Sequence, residues 1–335
     1  MTQKKCTFSE YSVLMSNNYW LGRGRMEHLL DFETYPIADV KTDLLRDMTT
    51  KKNIIWATNS YANLGEAFQF ATQIKDGALT IMPRGTIMPR VEKSMEQQSA
   101  RTKSLAEVFT PSWIVNEMNN YCDEEWFGRK NVFNTPNDDH TWKISEGKVS
   151  FPDDSKWQDY VMSRRLEITC GEAPFIVSRY DTTTGEIIPL YNRIGILDRK
   201  LRVIAENVDT EREWNKWVLQ AYKSVYGYEY QGDNLLIARI NLVYTYVDYY
   251  QKKWGKNPNK KQLKKIVDIV CWNFWQMDGL KGTVPGGKIA EVSVQSTMDD
   301  FLEEKEQVNP FEEVPCQIYD WQEKQVIKYS DCRRG

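Results

Sequence analysis

Through residues 1–79 short apolar segments alternate with polar turns. Tyr11 to Met15 and the strand-like Asn53 to Ala57 are the clearest of them, and the alternation predicts a small mixed α/β unit. A near-repeat, Thr80 to Arg90, comes next; its prolines, Pro83 and Pro89, exclude a helix interior and predict an extended or turn-rich linker. From Val91 to Ala106 the residues are polar and charged without an apolar period. A helix start follows, with Thr110 as hydroxyl cap, Pro111 in the first turn, then apolar Trp113, Ile114, Val115 and Met118.

Residues 131–160 are turn-rich and predict a hairpin or loop excursion. A short apolar strand beginning at Leu166 then runs into a sharp turn at Cys170-Gly171 and re-enters the interior at Phe175-Ile176-Val177. A glycine at a strand end lets the backbone approach a ligand, and it serves a plain turn equally well. Residues 196–224 read as helical, with Leu197, Leu201, Ile204 and Val208 near helical spacing. Tyr226 to Tyr230 reads as a strand ending near Glu229. Asp233 to Tyr250 reads as an apolar helix with Leu235, Ala238, Leu242, Thr245 and Tyr249 on one stripe. Another apolar run, Ile266 to Trp275, ends at Asp278, and the last 55 residues are loop-rich apart from the strand-like Gln317 to Trp321.

Composition narrows the class. A chain of 335 residues with 41% hydrophobic and 27% charged residues predicts a soluble globular protein of two or three domains. No apolar run is long enough to span a bilayer and the start has no signal-type apolar core, so no membrane partner and a cytoplasmic location are expected. The six cysteines are scattered without close pairs, which fits neither a disulfide framework nor a four-cysteine zinc site. With only His28 and His140, histidine-based chemistry has few candidates.

A net charge of -3 gives no global pull toward nucleic acid, so such contact must come from local patches. Arg84, Arg90, Lys93, Arg101 and Lys103 make the linker basic. The densest patch is Lys252, Lys253, Lys256, Lys260, Lys261, Lys264 and Lys265, which suits either a solvated face or DNA phosphates. Asp39 and Lys41 have the Asp-x-Lys spacing with which nucleases hold magnesium and a scissile phosphate; a solvated loop has it too.

Phe109-Thr110-Pro111, the strand-turn from Leu166 to Ile176, a strand ending at Glu229 and an apolar segment ending at Asp278 stand in one order. In that order the chain resembles the adenine-specific DNA methyltransferases of restriction-modification systems over roughly residues 80–280. The family's strand-turn, Leu-Asp-Pro-Ala-Cys-Gly-Ser-Gly-Asn-Phe-Leu, is similar at Leu166, Cys170, Gly171 and Phe175, with Glu167 in place of the acid. The resemblance implies an α/β fold with a Rossmann-like, S-adenosylmethionine-dependent core at 106–285. A small α/β region and linker would occupy 1–105 and a loop-rich extension 286–335.

It also implies roles. Gly171 supplies the close turn, Glu229 meets the ribose diol and Asp278 the adenine amine, with Phe109, Thr110, Pro111, Glu167, Cys170 and Phe175 around the donor. Double-stranded DNA is the implied substrate, another restriction-modification subunit the implied partner, and the chemistry requires no metal. Two departures stand out. Ala173 replaces the family's second glycine, and Gly171 lies 58 residues before Glu229 instead of about 20, which predicts a looped-out insertion at 181–217. The acceptor motif, Asn/Asp-Pro-Pro-aromatic, has its only trace in Asn309-Pro310-Phe311. A non-catalytic DNA-binding or specificity partner, and a magnesium-dependent nuclease, remain the alternatives.

Overall fold

Three short strands form a parallel sheet in the order β3-β4-β5: β3 (Arg165–Glu167), β4 (Val225–Glu229) and β5 (Phe274–Gln276). The computed structural model describes residues 29–82, 86–105, 107, 109–286, 288–289 and 311–332, and they make a mixed α/β protein. Ahead of the sheet lie α1 (Lys41–Leu44), α2 (Asp76–Ile81), α3 (Met95–Leu105), α4 (Ser112–Phe127), the antiparallel hairpin β1 (Asn134–Pro136) with β2 (Trp142–Ile144), and α5 (Trp157–Met162). The crossover from β3 to β4 carries α6 (Ile196–Asn207) and α7 (Glu211–Lys223); that from β4 to β5 carries α8 (Gly232–Trp254) and α9 (Lys260–Asn273). Two antiparallel pairs follow, β6 (Lys288–Ile289) with β7 (Phe311–Glu312) and β8 (Gln317–Asp320) with β9 (Gln325–Lys328), and α10 (Tyr329–Cys332) ends the described chain. Among the described residues no helix is long and apolar enough to cross a membrane.

Helix α8, about 34 Å long at 1.5 Å per residue, is the central element. It is buried almost all round from Gly232 to Val243, so the expected single stripe widens into a whole apolar cylinder. Its first turn receives the N-terminal region. Gly232 N–H donates to Trp56 O at 2.9 Å, and a side chain at Gly232 would collide with the Ile55 carbonyl. Farther along, the wholly buried Arg239 donates to the carbonyls of Leu44, Arg46 and Phe274, tying α1 and the end of α9 to the core. One continuous apolar cluster therefore runs from Leu30 to Phe274, and a smaller one of Tyr228, Trp275, Met277, Cys316 and Tyr329 closes the other sheet face.

Several expectations are corrected. Thr110 is not the cap of α4: Pro111 takes the N-cap place without a side-chain bond, and the Ser112 N–H donates to Asp181 Oδ2 at 2.7 Å. A proline cannot cap by side chain, so an acid 69 residues away does it. The helix expected at 196–224 is two helices, because the chain turns at Val208 and Thr210 starts α7 by accepting from Glu213 N–H. Nor is 181–217 a looped-out insertion. Leu197, Leu201, Ile204 and Trp214 are wholly buried, so the helical part of that segment is core-forming crossover. Asn53 to Ala57 forms only isolated bridges, with Ile55 opposite Gln73. The polar stretch without an apolar period, Val91 to Ala106, contains α3, whose Glu, Gln, Ala, Arg and Lys are good helix formers. Tyr11 to Met15, His28 and Arg84 lie outside the described residues.

A turn and two buried acids at the carboxyl ends of the strands: the candidate functional site

The carboxyl ends of β3 and β4 bring the sequence-predicted residues together. After β3 the backbone makes three left-handed steps, at Thr169 (φ 50°), Gly171 (φ 52°) and Ala173 (φ 62°). Cys170 N–H continues the pairing to Tyr228 O at 2.8 Å, and the next amide, Gly171 N–H, donates to Glu229 Oε2 at 2.9 Å. Glu229 Oε1 accepts from Gln231 N–H at 3.1 Å. Burial pushes the Glu229 carboxyl up to about 6, against the Gln231 and Gly171 amides that favour its charge. A carboxylate has about four lone-pair sites, so these two backbone donors do not use all its acceptor capacity.

Glu167 lies deeper. Its Oε1 accepts from Phe175 N–H at 3.3 Å, whereas Oε2 is buried and has no hydrogen-bond partner among the described residues. Burial pushes this carboxyl up to about 8, so the group is largely neutral at pH 7 and able to donate. Phe109 packs over the turn: a Cβ placed on Gly171 would stand 3.5 Å from its ring. The Arg90 guanidinium lies 5.4 Å from the same ring centroid. Thr110 contributes its carbonyl, which accepts from the Thr182 hydroxyl. Cys170 is wholly buried and burial holds its thiol well above the ordinary value, which makes it packing and not a nucleophile. The methyl of Ala173 is wholly buried in the core, so it does not face open space.

Asp278 sits two residues past β5, at the same end of the sheet. Its Oδ1 accepts from the Leu280 and Lys281 amides, which makes it the start of a turn. Asn309 and Pro310 lie outside the described residues; the backbone of Phe311 lies in β7, opposite Ile289.

Around the predicted residues is a buried polar network that the sequence reading missed. Arg101 donates to both oxygens of Glu107 and to Gln231 Oε1, and its Nη1 is 3.0 Å from Asp233 Oδ2. Asp233 also receives Tyr61 O–H at 2.8 Å and faces Lys93 at 3.7 Å. Burial opposes the charge of Asp233, but Arg101 and Lys93 outweigh it and hold the carboxyl below its ordinary value. Glu172, also buried, accepts from Arg90 N–H and Tyr180 O–H. The network holds Arg90, Lys93, Arg101 and Glu107 against the first turn of α8, next to Gln231 and hence Glu229. The linker's basic composition was the only local signal of it.

The other candidates are dispersed. Lys41 pairs with Asp76 and Glu33, and Asp39 faces Lys260 at 4.0 Å, so Asp39 and Lys41 do not share a site. Among the described residues no cluster of three His, Cys, Asp or Glu is placed to hold a metal ion. Within the lysine patch, Lys253 donates to Ala205 O, Lys256 pairs with Glu211 and Lys264 with Asp43; Lys265 lines a groove against α7, while Lys252 and Lys261 are exposed. No protein-family model, no curated protein and no solved structure matches the chain.

Proposed function

We propose that the chain binds S-adenosylmethionine at the β3–β4 turn and is a Rossmann-like, DNA adenine methyltransferase-like protein of a restriction-modification system. The observation that carries the reading is the bond from Gly171 N–H to Glu229 Oε2, which joins a left-handed turn after one parallel strand to the acid ending the next. In open α/β sheets ligands sit outside the carboxyl ends of the strands, where both groups lie. The partnerless Glu167 Oε2 is a second fitting feature, since a buried polar atom without a partner is costly unless something meets it.

In this reading Glu229 accepts from the ribose diol, Asp278 accepts from the adenine amine, and Gly171 with Phe109 shapes the wall of the site. When bound, the donor supplies an electrophilic methyl group. The chain's own residues bind and orient it and exclude water. The acceptor, the exocyclic amine of an adenine in double-stranded DNA, must be flipped from the duplex. We assign the groups that hold it to a partner subunit. Supporting this, β3 is an edge strand, and its Leu166 and the next residue but one, Ile168 just past the strand, are 45% and 64% exposed, a surface that sheet proteins normally cover.

Calorimetry with S-adenosylmethionine tests the donor site: binding is expected, weakened by Glu229→Ala and Asp278→Ala, and no heat with the wild-type chain would sink the reading. Label transferred from the methyl group to adenine, with and without candidate partner chains, tests the reaction.

A further inference from the structure

A groove of about 480 Å³ runs between α7 and α9 and is lined by Arg212, Lys216, Lys223 and Lys265, with Asn215 and Gln262 among its polar members and no carboxylate. Neighbouring Lys256, Lys260 and Lys264 are paired with Glu211, Asp39 and Asp43. Among the described residues no ion pair involves the four groove cations. Two of them lie over indole faces instead, Lys216 at 5.3 Å from the Trp217 centroid and Lys223 at 4.9 Å from that of Trp321.

On α7 positions 212, 216 and 223 fall within about 40° of one another at 100° per residue, and they span about 16 Å. That span matches roughly five nucleotide steps at 3.4 Å per strand. The lining comes from the whole length of α7, the first half of α9 and Tyr246 of α8, and it includes no residue of the β3–β4 turn.

We propose that this groove is a nucleic-acid backbone site, seating phosphates of one strand along the Arg212–Lys216–Lys223 stripe with Lys265 on the facing wall. Charge complementarity commits it to a polyanion, and the linear spacing favours a nucleic-acid strand over an isolated phosphate. Partial burial, and secondarily the charge of Lys324, hold the Lys223 ammonium below its ordinary value, so an anion there relieves a positive cluster. The site does not depend on the donor reading, since it uses none of the residues at the carboxyl ends.

Fluorescence anisotropy with a labelled 20-nucleotide single strand and its duplex, from 50 to 200 mM salt, tests the site. Three or four phosphate contacts predict a log–log salt slope of about -3. Lys216→Glu with Lys223→Glu is expected to weaken binding at least tenfold and flatten the slope by about two, whereas Lys264→Gln changes affinity less than twofold. Circular dichroism checks the fold, and the milder Lys216→Gln with Lys223→Gln replaces the charge reversal if it unfolds the protein. Absence of binding, affinity indifferent to these substitutions, or attachment to phosphatidylserine vesicles without nucleic-acid binding overturns the proposal. Calorimetry with the donor is unaffected by the groove variants, and Glu229→Ala leaves anisotropy unchanged, so failure of either reading is seen separately.

Discussion

The amide of Gly171 donates to Glu229 Oε2 at 2.9 Å across 58 residues of intervening chain. A glycine turn and an acid at the end of the adjacent parallel strand are therefore one unit, and the helices between them are core. Removing the acid tests both parts. Glu229→Ala leaves the Gly171 and Gln231 amides without their acceptor and should cost about 1–3 kcal/mol of stability, read from denaturant unfolding. Glu229→Gln keeps one acceptor oxygen but sets its NH2 against the second backbone amide, so it should cost less stability than the alanine and more than nothing. Its donor affinity in calorimetry should nevertheless fall about tenfold or more, 1.4 kcal/mol per decade.

Glu167 predicts a pH dependence. Its carboxyl rises from an ordinary 4.5 to about 8 because it is buried. The folded chain therefore binds more protons than the unfolded one between these values, and stability falls as pH rises from about 4.5 to 8. Glu167→Gln, neutral throughout, should remove most of that decline, so that the variant melts above the wild type at pH 8 and close to it at pH 4.5. Parallel melting curves across this range would refute the assignment. At pH 7 a cationic ligand beside Glu167 should release a proton on binding, visible as a heat that varies with buffer ionisation enthalpy.

Arg101 holds Glu107 and Asp233, both buried. Arg101→Met leaves two buried carboxylates short of their main cation and should cost about 3–5 kcal/mol. Loss of the cooperative transition at room temperature, or early proteolytic cleavage within 90–107, is the expected readout. Asp233→Asn removes one charge and should cost less than the arginine variant.

Ala173 occupies a left-handed conformation with its methyl in a closed core. Glycine there relieves about 1 kcal/mol of backbone strain, and loses a similar amount in buried methyl and chain entropy. Ala173→Gly should therefore stay within about 1 kcal/mol of wild type. Valine at 173 adds bulk to a packed site and a branched carbon at positive φ, and should cost at least about 2 kcal/mol. A valine variant as stable as the wild type would show that the turn is not as closed as described.

By itself the sequence determined the local elements. The apolar period of Asp233 to Tyr250 appears as the central helix Gly232–Trp254, Tyr226 to Tyr230 as β4, the 131–160 excursion as a hairpin, and Gln317 to Trp321 as β8. It also marked the turn at Cys170-Gly171, since glycine and a strand end are local signals. Tertiary structure alone decided which distant groups meet. Asp181 caps α4 because the Thr182 segment crosses beside Thr110, and Arg101 is a buried hub because α3 lies across the first turn of α8. The lysine run divides among separate partners because successive helical residues point in different directions. Spacing along the chain encodes periodicity and turn chemistry; ion pairs, remote caps and carboxyl titration depend on how segments cross and on burial, which no local pattern records.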